Sequence, residues 1–467
     1  LSFTNTYYFL ALLLAVICFY VIPRRHRTIY LGLLSFSFAS TFHWVGAVFL
    51  LCSSLFTYYS GKRLMQSQKK GLLVFSICVL LLILFGLKYI GDGRLAFNRK
   101  VFQVDVSIVF IGLSYYTLQN IAFLLNVYWQ RIQQFNSFPL FFLFNAFFPK
   151  LVSGPIEDYT AFQKQIDDLP SKALAGDLTY GIQRILVGLF KKLVLADRLA
   201  PAVALVFQDS VPNNGLTTWI GVCLFTFQLY FDFSALIDIA LGSARCFGIK
   251  LSENFDLPLR SASLTSLWRS WHMTLISWLT QYLYYPVVYR FRASKYVGIV
   301  LGINVVFLMS AIWHGWGITF LLWGFWNALV VCLELFGKKV FPKSLKIPGM
   351  FKVIYCFSVF SFGLLFFRAQ SLTQIRKLID SLFGTSFLPK SWLYDCLAVL
   401  AGGGAQELLF NFFLVLTCLV VFLVFEKRIY AHFFSTKWRT VGNVLLLSSI
   451  VVLGLFEFAP QFIYLQF

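Results

Sequence analysis

Apolar residues run along this chain in long blocks, and most charged residues fall in the gaps between them. A helix needs about 20 apolar residues to cross a bilayer. Blocks of that kind fall at roughly 7–22, 29–43, 44–60, 71–90, 105–128, 138–152, 181–207, 216–243, 297–313, 316–336, 351–368, 408–425 and 440–458. Some are too short to cross upright and predict re-entrant or half-buried helices, leaving about 11 true crossings. The pattern predicts an all-α polytopic membrane protein with added re-entrant and interfacial helices. We read residues 1–467 as a single membrane domain, with N-terminal helices in 1–104, a core in 105–336 and C-terminal helices in 337–467.

Residues 244–296 break the pattern. They mix apolar positions with Arg245, Lys250, Arg260, Arg269, Arg290, Arg292 and Lys295. Thr265 or Ser266 could cap a helix starting near Leu267. Trp268, Trp271, Leu275 and Trp278 then recur at helical spacing, which predicts an amphipathic helix at the cytosolic interface. His272 would lie on it, near the water boundary.

The other basic residues set orientation. Arg24, Arg25 and Arg27 follow the first block, and Lys62, Arg63, Lys69 and Lys70 follow the third. Both clusters are cytosolic if the amino end lies outside and the next two blocks form a hairpin. Lys338, Lys339, Lys343, Lys346 and Lys352 mark a further cytosolic loop. The first block lacks the basic start and small-residue cleavage site of a signal peptide.

Composition sharpens this picture. The chain is 59% hydrophobic and 12% charged, and its mean hydropathy is +0.76. A soluble chain is about 45–50% apolar and about 25% charged. A formal net charge of +20 would suggest nucleic acid in a soluble protein. Here the cations sit between apolar blocks and no nucleic-acid motif accompanies them, so lipid is the expected partner and nucleic acid is not. The nine cysteines form no CxxC pair or Cys/His cluster, and no metal is expected. An internal repeat of the kind that builds inverted-repeat transporters is not visible.

Within so apolar a chain, histidine stands out. His26 and His432 read as solvated or interfacial, and His43, beside Trp44, as interfacial. His314 is different. No charged residue occurs between Lys295 and Glu334, enough for about 57 Å of helix at 1.5 Å per residue. The hydrocarbon core is only about 30 Å thick, so the backbone must turn inside the stretch, and Gly315 and Gly317 are the natural place. Irregular backbone at that depth must be buried in protein or line a cavity. His314 then either ties two helices together by a hydrogen bond or acts as a general base. Gln119, Asn120, Gln228, Asp232 and Asp238 are further polar residues inside apolar blocks. Asp232 and Asp238 are six apart and do not share a helix face well. Each is expected to pair with a cation from 244–296. No GxSxG, P-loop or HExxH occurs.

Four stretches occur in order: "FFPKLVSGPIEDY" (147–159), "FQLYFDFSALIDIALG" (227–242), "ENFDLPLRSASLTSLWRSWHMTLISWLTQYLYYPV" (253–287) and "IWHGWGITFLLWGFWNAL" (312–329). Together they resemble the membrane-bound O-acyltransferase family, along nearly the whole chain. "FFRAQSLTQIRKLIDSLFG" (366–384) and the closing "FIYLQF" (462–467) resemble the bacterial branch that acetylates alginate, other polysaccharides and peptidoglycan, rather than the D-alanine-transferring branch. The resemblance implies a central acyl-transfer tunnel. It implies that His314, in the "WHG" motif, is catalytic, and that His272, in the "RxWHxSLxxW" motif, takes part. Thr274 stands where that motif has serine. Arg269 is kept, and Ser270 replaces a second arginine often found there.

The implied reaction passes an acyl group, most simply acetyl from acetyl-CoA, from the cytosolic face through the tunnel to an outward hydroxyl. His314 would take the hydroxyl proton or carry the acyl group itself. Trp313, Gly315, Trp271, Arg269, Asp232 and Gln228 would line the donor path. No bound cofactor is implied. The acceptor would be an envelope or secreted polysaccharide, reached through an extracytoplasmic acetyltransferase or SGNH-hydrolase-like partner, and the chain would reside in the bacterial inner membrane. The competing functions are D-alanyl transfer to teichoic acid and transport of a small solute.

Overall fold

The computed structural model describes residues 5–91, 110–135, 137–207, 214–315, 317–340, 348–384 and 439–454. The predicted block at 408–425, His432, Lys343, Lys346 and the closing 462–467 lie outside the described residues. In chain order the longer helices are α1 (Thr6–Val21), α2 (Arg24–Phe42), α3 (Trp44–Ser67), α4 (Lys70–Gly91), α5 (Leu113–Tyr128), α6 (Phe138–Ala146), α7 (Tyr159–Asp167), α8 (Ala175–Phe190), α9 (Asp197–Phe207) and α10 (Gly215–Cys246). There follow α11 (Leu264–Ser270), α12 (Met273–Leu279), α13 (Tyr285–Arg290), α14 (Lys295–His314), α15 (Ile318–Val340), α16 (Gly349–Arg368), α17 (Leu372–Phe383) and α18 (Arg439–Leu453).

Burial is inverted relative to a water-soluble protein. Leu14, Leu82 and Phe325 are more than 60% exposed, whereas Ser35, Ser54, Asn120 and Thr226 are fully buried. That distribution suits a hydrocarbon solvent, in which polar groups must be satisfied within the protein. Among the described residues, six helices are long and apolar enough to cross a membrane: α3, α4, α10, α14, α15 and α16. The expected count of about 11 is not reached among them. The block at 138–152 divides into the nine-residue α6 and a single turn at Phe148–Leu151. Seven consecutive residues of α6, Leu140 to Ala146, are buried, so this is an enclosed helix and not a span.

The chain divides into two compact units, and the division falls within α10. The first comprises residues up to Gly188 together with Leu236–Glu253. Its interior is cross-linked by polar groups. Asn145 Nδ2 donates to Asn120 Oδ1 at 2.9 Å and to Ser54 at 3.2 Å. Lys150, buried over the Phe144 ring, donates to Gln119 Oε1 at 2.5 Å. Glu157 accepts from the amide and hydroxyl of Ser252 at 2.7 and 3.0 Å. Gln119 and Asn120 therefore act as glue between helices. Arg27 is also structural. It is buried, lies 4.8 Å from the Phe19 ring centroid, and donates to the carbonyls of Pro170 and Ser171 at 2.6 and 2.7 Å. Asp238 pairs with Arg184 of α8 at 2.6 Å, and the same guanidinium reaches Glu253 at 2.6 Å.

The second unit comprises Leu189–Ala235 and the residues from Asn254 onward. It begins in a π-helical turn, Lys191–Ala196, all six residues of which are buried. There Lys192 Nζ lies 2.8 Å from both Asp197 and Asp232. The expectation that Asp232 and Asp238 pair with cations from 244–296 is thus corrected: the partners are Lys192 and Arg184, from the polar positions of the 181–207 block. The physical reason is that the two carboxylates point to different faces of α10, and each meets a cation from a neighbouring helix at its own depth.

The break foreseen between Lys295 and Glu334 occurs where expected. α14 ends at His314, Gly315 is extended, and α15 returns as the second arm of a hairpin. The arms approach closely because Gly324 leaves space: a Cβ there would stand 2.7 Å from the Phe307 carbonyl oxygen and 2.9 Å from the Ala311 Cβ.

Truncating a buried ion pair on one side leaves an uncompensated charge. Lys192→Met leaves two carboxylates without their shared cation. It is expected to cost about 3–5 kcal/mol, read as a lowered thermal midpoint in detergent, with Asp197→Asn costing less because Asp232 still balances Lys192.

Candidate active site

All the groups described here belong to the second unit. Its 254–290 segment departs from the predicted continuous interfacial helix. α11 starts at Leu264, not near Leu267, and its cap is Ser263, which accepts from Ser266 N, in place of Thr265 or Ser266. Glu334 of α15 reinforces that start by accepting from Leu264 N at 2.6 Å and from Thr265 N at 3.1 Å. α11 then stops at Ser270. Trp271 is extended, and His272 adopts φ 45°, ψ 51°. This left-handed conformation costs a non-glycine residue roughly 1–2 kcal/mol. α12 begins immediately after it.

The helical spacing of Trp268, Trp271, Leu275 and Trp278 is therefore interrupted, and all four side chains are buried. They pack on protein. Trp268 meets Trp323 at 5.8 Å and Phe360 at 5.7 Å between ring centroids, and its indole N–H donates to Asn327 at 3.1 Å. His272 is likewise enclosed, only 1% exposed.

The two histidines converge on one indole. Trp313 lies 4.7 Å from His314 and 6.1 Å from His272, centroid to centroid, edge-on to both. His314 is 4% exposed, with Trp323 at 5.3 Å and Phe367 at 5.1 Å. Phe233 covers His272 at 4.9 Å. Trp271 adjoins through its contacts with Tyr230, Phe255 and Phe360. Gly315 is required by packing rather than by backbone angle. A Cβ there would overlap the Phe320 ring, standing 2.8 Å from its Cδ2, and Phe320 in turn packs on Phe367.

The remaining candidates are placed elsewhere. Arg269 is exposed. Asp232 belongs with Lys192 and Asp197. Gln228 is buried one helical turn before Asp232. Sequence reasoning missed Phe367, Trp323 and Lys192. The pair Lys191–Lys192 inside an apolar block was the available signal for the last. The aromatic walls carry no such signal in a chain with 55 phenylalanines.

This arrangement suits proton transfer. Burial pushes the His272 imidazole down to about 3, so it is neutral at pH 7 and able to accept or relay a proton. Aromatic walls exclude the water that would hydrolyse an activated ester.

A polytopic helical protein with two imidazoles enclosed in rings has the features of a membrane enzyme handling a water-sensitive group. The model of the membrane-bound O-acyltransferase family matches residues 28–372, and the chain belongs to that family. It is an acyltransferase. A protein of Azotobacter vinelandii named as a probable alginate O-acetylase is 29% identical over 399 residues, covering 81% of this chain and 77% of the relative. The peptidoglycan O-acetyltransferase of Helicobacter pylori is 27% identical over 368 residues, covering 72% and 69%. The teichoic acid D-alanyltransferase of Bacillus subtilis is 26% identical over 238 residues, covering 50% and 60%.

Two outcomes follow from this geometry. Gly315→Val displaces Phe320 and with it the Phe367 wall of His314; overpacking of this kind costs about 1–3 kcal/mol, and acyl transfer is expected to fall while the protein still accumulates. The low pKa of His272 also carries a sign. Between about 3 and 6.5 the unfolded chain binds a proton that the folded chain does not, so stability falls with acid by about 1.4 kcal/mol per pH unit from this group. His272→Gln is expected to flatten the denaturation midpoint across that window, and an unchanged slope would assign the acid sensitivity to other groups.

Proposed function

We propose that this chain moves an acetyl group from a cytosolic acyl thioester, acetyl-CoA in the simplest case, to an outward-facing hydroxyl for O-acetylation of an envelope or secreted polysaccharide. The observation that carries the reading is the convergence of His272 and His314 on Trp313 at the break between α14 and α15. Both histidines lie in the motifs that the family resemblance singles out. The longer coverage of the O-acetylating relatives favours acetyl over D-alanyl transfer.

In the proposed step the acceptor oxygen attacks the thioester carbonyl while the His314 imidazole takes its proton. The tetrahedral intermediate collapses, the C–S bond breaks, and the thiolate leaves and takes up the proton from the imidazolium. One ester and one thiol replace one alcohol and one thioester. His272 orients the donor or relays the proton, and Trp313 and Trp271 form walls of the acyl tunnel. Residence in the inner membrane, with about 11 crossings, fits a cytosolic donor and an exterior acceptor. An extracytoplasmic SGNH-hydrolase-like partner is the proposed carrier of the acetyl group to the polymer.

His314→Ala tests this directly. Loss of a general base lowers the rate by about 10²–10⁴-fold, so polymer-bound acetyl ester should fall to background at normal protein level. Wild-type ester content in that variant would remove His314 from the reaction. Labelled acetyl-CoA supplied to the cytosolic face of inverted vesicles should deliver label to the lumen as ester.

A further inference from the structure

We propose that Asn254 is a positioning residue for His272, holding it in the left-handed turn from which it acts; this rests on the assignment of His272 to acyl transfer. A residue that opens a helix commonly spends its own side chain on the first exposed amides. His272 occupies that place before α12, yet makes no side-chain cap bond. Asn254 caps α12 from outside. Its backbone carbonyl accepts from Met273 N at 2.9 Å, and its Oδ1 accepts from Thr274 N at 3.0 Å and from the Thr274 hydroxyl at 2.7 Å. The first two amides of α12 are thus satisfied by one residue remote in sequence, and the imidazole is not drawn into capping.

The same short segment fixes the other side of the turn. Phe255 forms an antiparallel bridge with Trp271, and Asp256 N donates to the Ser270 carbonyl at 3.0 Å. His272 is therefore clamped between backbone bonds on both flanks, which offsets the cost of its positive φ. Asn254 is fully buried, and its Nδ2 has no acceptor among the described residues. Its contribution runs through Oδ1 and the main chain. Of the family stretches, "ENF" is where this residue sits, and nothing about its side chain marks it as catalytic; its effect is exerted on the backbone that carries the imidazole.

The test uses native membranes carrying the full chain together with its extracytoplasmic partner, labelled acetyl-CoA as donor and isolated envelope polysaccharide as acceptor. A small displacement of a reacting group costs up to about 100-fold in rate. Asn254→Ala is therefore expected to lower kcat by about 10- to 100-fold with the donor KM little changed, while Asn254→Asp, which keeps the acceptor oxygen, regains most of the rate. Added to His272→Ala, Asn254→Ala should cause no further loss, since it acts through a group already removed. A further loss equal to that of the single variant would overturn the proposal, as would an Asn254→Asp rate as low as that of Asn254→Ala. Where Asn254→Ala fails to accumulate, the Thr274→Val and Thr274→Ser pair decides: the first should lose several-fold in kcat and the second should not, and equal rates would overturn it. Full activity of His272→Ala would instead overturn the reading of His272 itself, which distinguishes the two failures.

Discussion

In hydrocarbon there is no water to satisfy a polar group, so every charge and amide must find its partner inside the protein. The architecture follows from that constraint. Lys192 is held between two aspartates, Arg184 between an aspartate and a glutamate, and Lys150 against an amide oxygen and a phenyl ring. Such groups contribute little net stability, because desolvation offsets most of the attraction. They instead specify which helix faces meet, since any other pairing leaves a charge uncompensated. The π-helical turn at Lys191–Ala196 belongs to this scheme, as Lys192 and Asp197 from that turn and its edge meet Asp232 of α10.

The histidine site obeys the opposite logic. Its walls are aromatic, and its two imidazoles sit edge-on to one indole. Where the ionic clusters lock helices together, this region keeps its imidazoles in an aromatic surround, which is the condition for handling an activated ester without losing it to water. The family relation rests on the match over residues 28–372, and the enclosure of the histidines on packing.

How much of this was legible depended on whether a residue's constraint was local. The break at His314 was legible because a charge-free stretch longer than the bilayer must turn, and glycine marks where. The class of protein was legible from block length alone. The bend at His272 was not, since Trp268, Trp271, Leu275 and Trp278 have helical spacing on either reading; only the pairing of 254–256 with 270–274 breaks the helix, and that contact is invisible in the local pattern. The partners of Asp232 and Asp238 were missed for the same reason. Arg27 reads as one of three topogenic arginines, yet the structure spends it on two loop carbonyls.

The length of α14 has a consequence for the size of molecule that can be served. Its 20 residues measure about 30 Å, which is the full hydrocarbon thickness. As a span, a helix of that length carries His314 about one hydrocarbon thickness away from Lys295. Under the proposed function, a bulky alcohol, whether on a glycan strand or on a folded protein, would then have no need to dissolve in lipid: it would present its oxygen beside His314, and only the slender acyl arm would have to thread the layer.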